Sequence, residues 1–305
     1  MKKMRLILTS LLTMVSIQSC ASELDYHNWE KDLQIIKEIA KDAGTKTLEI
    51  RNSNQLEAKD VLLQNGKKVR QTNADIEASR YITDKLVNIY PSYGFISQDQ
   101  MEFEPHWYEK EFIWIVNPID GTRAFEKGGD DFCVQIGLLA GNEPVLGVSY
   151  YPAKTTFVWA VKGQGSWLET AETKQQLQAA PCNENILLIA SSRTYVEPYL
   201  KEWNWIPTKV SDESFSSTSR LLHIIQGKAS LYISLGASPK GKEKKGAIWN
   251  FGANSVIANE AGLLLRTLRG APLNLREPTA LLTEGVLITT DSSVYSKIVQ
   301  SDVLN

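Results

Sequence analysis

The sequence predicts a mixed α/β protein: an α+β half with its helices packed on one sheet, then a half in which strands and helices alternate. Two amphipathic helical patterns come first, ending at Pro91. Several apolar or alternating runs separated by glycine turns follow. After about Pro181 the rhythm changes to strand–helix alternation.

Each element has its own signal. Leu33, Ile36, Ala40 and Ala43 recur at helical spacing, and Gly44 is expected to close that helix. Asn52 to Gln71 is polar and Lys-rich around Gly66, so it reads as a hairpin or mobile loop. Thr72-Asn73-Ala74-Asp75 is a capping sequence for a helix with Ala78, Ile82, Leu86 and Ile89 inward, which Pro91 ends. Strands are expected over 112–116, 134–139, 145–151 and 156–161, joined by turns at Gly141-Asn142 and Gly163-Gln164-Gly165. The second half reads as strands at 186–190, 229–234, 263–268 and 286–290. Its helices fall at 217–226 and 250–261, and a last helix follows. The expected division is a leader at 1–21, an α+β sub-domain at 22–180 and an α/β sub-domain at 181–305.

The leader has its own chemistry. Lys2, Lys3 and Arg5 precede an apolar run from Leu6 to Ile17, too short to span a bilayer, as in a secretory signal peptide. Ile17-Gln18-Ser19-Cys20 matches a bacterial lipobox, with Cys20 the lipidated residue; cleavage after Ala21 is the competing reading. The expected location is therefore the bacterial periplasm, with membrane contact only through a lipid anchor. The 305 residues carry 33 Lys and Arg against 35 Asp and Glu, and this balance points away from nucleic acid. Cys133, in an apolar run, is expected to be a buried thiol, though an exported chain also allows a bridge to Cys182.

The segment most informative about chemistry is Trp114-Ile115-Val116-Asn117-Pro118-Ile119-Asp120-Gly121-Thr122, an apolar strand running into a tight turn. Alone it is an ordinary turn sequence. Asp75 alone is an ordinary helix cap, Asn250 an ordinary helix-start residue, and His27, His106 and His223 have no partners at metal-binding spacing.

Taken in order, Thr72–Asp75, Gly94–Asp99, Asn117–Phe125, Pro144–Pro152, Ser191-Ser192-Arg193, Ser216–Arg220 and Ile248–Ala253 resemble the inositol monophosphatase superfamily, and most of all its 3'(2'),5'-bisphosphate nucleotidase branch. The resemblance spans roughly Trp29 to Thr290. It implies a five-layer αβαβα sandwich and a Mg²⁺-dependent phosphatase, often a homodimer. Mg²⁺ ions would neutralise the phosphoryl oxygens and prepare the attacking water, so oxygen ligands must converge. The implied metal positions are Gln98 with its neighbour Asp99, Asn117, the backbone carbonyl of Ile119, Asp120 and Asn250. Asp75 and Thr122 take the positions that polarise water. Gly121, Thr122, Ser217, Thr218 and Arg220 take the substrate-contacting positions.

Three of those metal positions, Gln98, Asn117 and Asn250, hold amides where the family pattern has carboxylates. A unit charge pair at ~4 Å is worth about 4 kcal/mol at an effective dielectric of ~20. Losing several such pairs lowers Mg²⁺ affinity by several powers of ten, at about 1.4 kcal/mol per tenfold. The expectation is weak or absent Mg²⁺ binding, and a small phosphorylated or anionic ligand held without hydrolysis. The alternative is an active Mg²⁺-dependent phosphomonoesterase using Asp120, Asp99 and Asp75.

The lipobox can be tested directly. In a bacterial host fed radiolabelled palmitate, the native chain should take up label and sediment with membranes. Cys20→Ala should do neither, and labelling that survives this substitution rules out Cys20 as the anchor.

Overall fold

The computed structural model describes residues 29–100, 102–181, 186–189, 209–211, 215–234 and 246–300. The leader with Cys20, the Ser191–Arg193 segment, Cys182, Trp203, Trp205 and the Lys240–Lys245 run lie outside the described residues.

Helix α1 (Trp29–Asn52) opens the first layer. It does not stop at Gly44, as the sequence reading expected. A Cβ there would stand 2.6 Å from Pro152 Cγ and 3.0 Å from the Tyr150 ring. The glycine is a close-approach site inside the helix, not its terminator. The polar stretch after α1 forms a hairpin of β1 (Ala58–Leu62) and β2 (Lys68–Thr72), turning at Gly66 with φ 78°.

Helix α2 (Asn73–Ile89) starts on a full capping box, with Thr72 and Asp75 bonding each other's backbone N–H. Ala78, Ile82 and Leu86 point inward as expected, but Ile89 is 45% exposed. It is the last residue of the helix, next to Tyr90, whose N–H caps the end through Leu86 O.

The main sheet has seven strands in the order β3 (Gly94–Ser97), β4 (Phe112–Asp120), β5 (Cys133–Ala140), β6 (Glu143–Tyr151), β7 (Thr156–Val161), β8 (Ser166–Glu169) and β9 (Lys174–Leu177). From β4 onward it is the expected antiparallel meander, extended by β8 and β9. Strand β3, which pairs parallel to β4, was not expected. Its four residues are too few to show a period.

The second sheet contains β10 (Ile186–Ile189), β11 (Lys209–Ser211), β12 (Leu231–Ser234), β13 (Leu264–Thr267) and β14 (Val286–Thr289). Its order is β11-β10-β12-β14-β13. Strands β10, β11 and β12 run parallel, whereas β14 lies antiparallel to both its neighbours.

Between the sheets lie α4 (Ser217–Ile225) and α5 (Gly252–Glu260), counted after the one-turn α3 (Thr122–Glu126). The last helix, α6 (Ser292–Val299), packs on β14.

Two apolar cores follow from this layering. One joins α1 and α2 to a face of the main sheet through Ile36, Ile82, Val116, Val134 and Val148. The other fills the space around α4 and α5 between the two sheets, with Ile115, Leu139, Ile224, Ile257 and Ile288. In β14, Val286 and Ile288 belong to that inner core, so the intervening Leu287 faces the opposite side. Helix pair, sheet, helix pair, sheet and helix make the expected αβαβα sandwich. Among the described residues no helix is long and apolar enough to cross a membrane.

Helix α5 lies directly on the main sheet because two glycines admit it. A Cβ on Gly137 would stand 2.3 Å from Gly252 C, and one on Gly147 2.4 Å from Ala253 O. Gly137 and Gly147 are partners across β5 and β6, so together they form a bare patch. Gly147→Ala should therefore lose about 1–3 kcal/mol of stability in urea unfolding, the usual cost of overpacking a rigid contact.

Candidate functional site

The site is built by an irregularity in β4. Asn117 pairs with Gln135 and Asp120 with Cys133, so three steps on β4 match two on β5. In a regular strand, residues three apart point to opposite faces. The extra residue at Pro118-Ile119 turns Asn117 and Asp120 to the same face as Gln135 and Cys133, the one beneath α4 and α5. Gly121 follows at φ 93°, and a Cβ on it would meet Asp131 O at 2.5 Å. This left-handed turn starts α3, with Thr122 its first residue.

Asp120 is the centre of the site and is buried. Its Oδ2 accepts from Ser217 N at 2.5 Å, Ser217 Oγ at 2.8 Å and Gln135 Nε2 at 3.2 Å. Burial pushes its carboxyl above the usual range, opposed by the Ser217 bonds and by the charge of Arg220. Asp131 holds the same helix start from the other side, accepting from Ser216 N at 2.9 Å, Ser216 Oγ at 3.0 Å and Ser219 Oγ. Both carboxylates thus lie at the positive end of α4.

Two of the positions expected to bind metal, Asn117 and Asn250, are joined to each other. Asn117 Nδ2 donates to Asn250 Oδ1 at 3.0 Å. Asn254 Nδ2 donates to the Asn250 carbonyl and to Ser217 Oγ, both at 2.8 Å. Asn250 ends the turn at Ile248–Asn250 that precedes α5, so these bonds tie that turn to the main sheet.

On the other side of β4, Asp75 Oδ2 is held by Thr72 N at 2.7 Å and Thr72 Oγ1 at 2.5 Å. Thr122 Oγ1 lies 3.4 Å from Asp75 Oδ1 and donates to Ile119 O at 3.0 Å. The Ile119 carbonyl, an expected ligand position, therefore already has a donor. Asp99 accepts from Gln71 Nε2 at 2.9 Å. Burial raises its carboxyl to about 7, with the Gln71 bond opposing. Asp75 rises well above the carboxylate range, chiefly through burial and next through the charge of Asp99. Gln98 is buried beside Asp99, its N–H bonded to Val116 O at 3.1 Å.

Thr218 was expected to contact a ligand, but its geometry is interior. It is fully buried, bonds Ser149 Oγ and Asn254 Oδ1 at 2.9 Å each, and accepts from Gln135 Nε2 at 2.7 Å. The reason is helical geometry: one step along α4 from Ser217 rotates a side chain by about 100°, here into the core. Arg220, a turn later, stays partly exposed. Cys133 is a buried free thiol, 3.9 Å from Asp120 Oδ2.

Gln135, Ser149, Asn254 and Asp131 were not among the expected site residues. Gln135 left a signal: it is a polar side chain inside the apolar run Phe132–Leu139, on the same strand face as Cys133 and Gly137. A buried polar group of that kind needs partners.

These residues do not fit the family's set of Mg²⁺ ligands. Mg²⁺ takes oxygen ligands. Asn117 turns its nitrogen toward Asn250, and Asp120 Oδ2 is surrounded by donors. Among the described residues no group of three or more His, Cys, Asp or Glu side chains is arranged to hold a metal ion. The buried acceptors Asp99 Oδ2, Asn117 Oδ1 and Gln135 Oε1 have no hydrogen-bond partner among the described residues, so the site retains acceptor capacity.

The Asn117–Asn250 bond should respond to charge. Asn117→Asp with Asn250→Asp places two carboxylates where one amide now donates to the other, and should cost about 1–3 kcal/mol in EDTA. Added Mg²⁺ should recover part of the loss in a thermal melt. An unchanged melting temperature would show that the bond contributes nothing.

The chain matches the inositol monophosphatase family over residues 28–302. It is 28% identical to the 3'(2'),5'-bisphosphate nucleotidase CysQ of Escherichia coli K12 over 221 residues, 72% of this chain and 84% of that protein. It is 23% identical to the inositol-1-monophosphatase of Bacillus subtilis over 265 residues, 84% of this chain and 92% of that one. Among solved structures, the Thermotoga maritima IMPase superposes with a TM-score of 0.68 at 17% identity, covering 88% of this chain and 96% of its own. With the αβαβα layering and the Asn117–Thr122 turn, the match over nearly all the described residues shows that the chain belongs to the inositol monophosphatase family.

Proposed function

We propose that this family member binds a small polyhydroxylated phosphate ester at the Asn117–Asp120 site and has lost most or all of the capacity to hydrolyse it. The observation that carries this reading is the 3.0 Å bond from Asn117 Nδ2 to Asn250 Oδ1. Two positions that would hold Mg²⁺ instead bond each other, and no carboxylate charge remains on either. The ligand class rests on kinship with the phosphatases above and on the polarity of the site. Hydroxyl groups would donate to the unpartnered acceptors Asn117 Oδ1, Gln135 Oε1 and Asp99 Oδ2. The Arg220 guanidinium, whose charge reaches Asp120, would meet the phosphate. In this reading the chain is exported and anchored through Cys20, and acts outside the cytoplasm as a binding module.

A second reading keeps a weak Mg²⁺-dependent phosphatase. Two features favour it: the retained contact of Thr122 with Asp75 at 3.4 Å, and the unpartnered Asp99 oxygen. Restoring the carboxylates separates the two. The native protein should bind an inositol monophosphate or a 3',5'-bisphosphate nucleotide in calorimetry without Mg²⁺, and should release no phosphate with it. Gln98→Glu, Asn117→Asp and Asn250→Asp together should create Mg²⁺-dependent phosphate release. Release by the native protein, abolished by Asp120→Asn, would overturn the binding-only reading and establish the second.

A further inference from the structure

We propose that the cavity between α1 and the β8–β9 hairpin binds a neutral carbohydrate chain, with the Trp167 indole as its stacking platform. The cavity measures about 480 Å³. That falls within the roughly 300–1,000 Å³ of small-molecule sites. It lies on the α1–α2 side of the main sheet, the face opposite the Asn117–Asp120 site, and shares no residue with it.

Its floor follows from strand register. Trp159 on β7 is directly opposite Trp167 on β8, and Glu169 is opposite Lys174 on β9. Trp159, Trp167, Glu169 and Lys174 therefore share one face. The two indoles lie side by side with centroids 5.9 Å apart and planes 23° apart. Trp159 is buried, whereas Trp167 is only partly so. Both indole N–H groups are already used, Trp159 on Glu169 Oε2 at 2.8 Å and Trp167 on Gln164 O at 3.0 Å. The floor therefore offers a ligand only ring faces.

The charges select among ligands. Glu169 is neutralised by Lys37 Nζ at 2.5 Å, and Lys37 in turn lies 5.4 Å from the Trp159 ring centre. The remaining lining charges are Lys174 against Glu30 and Glu172, a net of −1 that disfavours an anion, while Lys174 over the rings disfavours a cation at the platform itself. Gln34, Gln164, Thr170 and Thr173 also line the cavity and supply uncharged donors and acceptors. An apolar ring face bordered by amides and hydroxyls suits a sugar ring, which has C–H groups on its face and hydroxyls at its edge. Lys174 now covers the platform, its Nζ 4.5 Å from the Trp167 ring centre and 4.7 Å from that of Trp159. A cation–π contact at an exposed site is worth only about 0.5–1 kcal/mol, so the flexible lysine can yield to a ligand and donate to its hydroxyls.

The test titrates the native protein with neutral hexaoses of glucose, xylose and N-acetylglucosamine, reading tryptophan fluorescence and calorimetry. An oligogalacturonate and a glucosamine hexamer serve as charged controls. At least one neutral hexaose should saturate a fluorescence change below about 5 mM. Trp167→Ala should weaken it about tenfold or more, and Trp167→Phe by much less. Gln34→Trp, at an exposed position on α1 that lines the cavity, keeps the platform and narrows the cavity, so it should weaken binding even if Trp167→Ala fails to fold. No binding by any neutral hexaose, tighter binding of a charged control, or affinity unchanged in Gln34→Trp would each overturn the proposal.

Discussion

The bulge at Pro118-Ile119 is the constraint on which the site depends. It breaks the alternation of β4 by one residue, so Asn117 and Asp120 point the same way. Without it, one of the two would enter the core beneath α1 and α2, and the network with α4 and the Ile248–Asn250 turn could not form. The bulge places the side chains, and the chain's own residues decide what they do there. With carboxylates at Asn117 and Asn250, the cluster would repel itself until cations arrived. With amides, donor meets acceptor and the two halves of the molecule are joined directly.

Hydrogen bonding between buried polar groups runs through the whole inner layer. Asp120 accepts from the start of α4 and from Gln135, and Asp131 accepts from the other donors at the same helix start. Thr218 joins Ser149 on β6 to Asn254 on α5. A buried polar network of this kind is tolerated because nearly every member has a partner. At the site, the atoms without a partner among the described residues are Asn117 Oδ1, Gln135 Oε1 and Asp99 Oδ2. In the proposed reading they are the atoms at which a donor-bearing ligand would complete the network.

The Trp159–Trp167 cavity is separate in origin. It arises because the meander runs on past the edge of the α1–α2 layer, so the outer strands β8 and β9 have only part of their surface covered. The Asn117–Asp120 site lies on one face of the sheet, while the extension leaves an aromatic and polar recess on the other.

Much of the molecule could be read from local pattern alone. The helical spacing in α1 and α2, the capping box at Thr72 and Asp75, the meander from β4 to β7 and the family turn at Asn117–Thr122 are each encoded in a few adjacent residues. The amides at Gln98, Asn117 and Asn250 were equally visible. What could not be read depends on residues far apart in the chain. Gly44 looks like a helix terminator until Pro152, over a hundred positions later, packs against it. Strand β3 is too short to declare its parallel pairing. Thr218 and Ser217 look alike in sequence, and only the rotation of α4 over the main sheet buries one and turns the other to Asp120. Gln135 is one polar residue in an apolar run, and the structure alone supplies its three partners. Sequence determined the family, the layers and the amides at Gln98, Asn117 and Asn250. Tertiary structure decided what those amides meet, because a hydrogen bond depends on where two distant side chains come together.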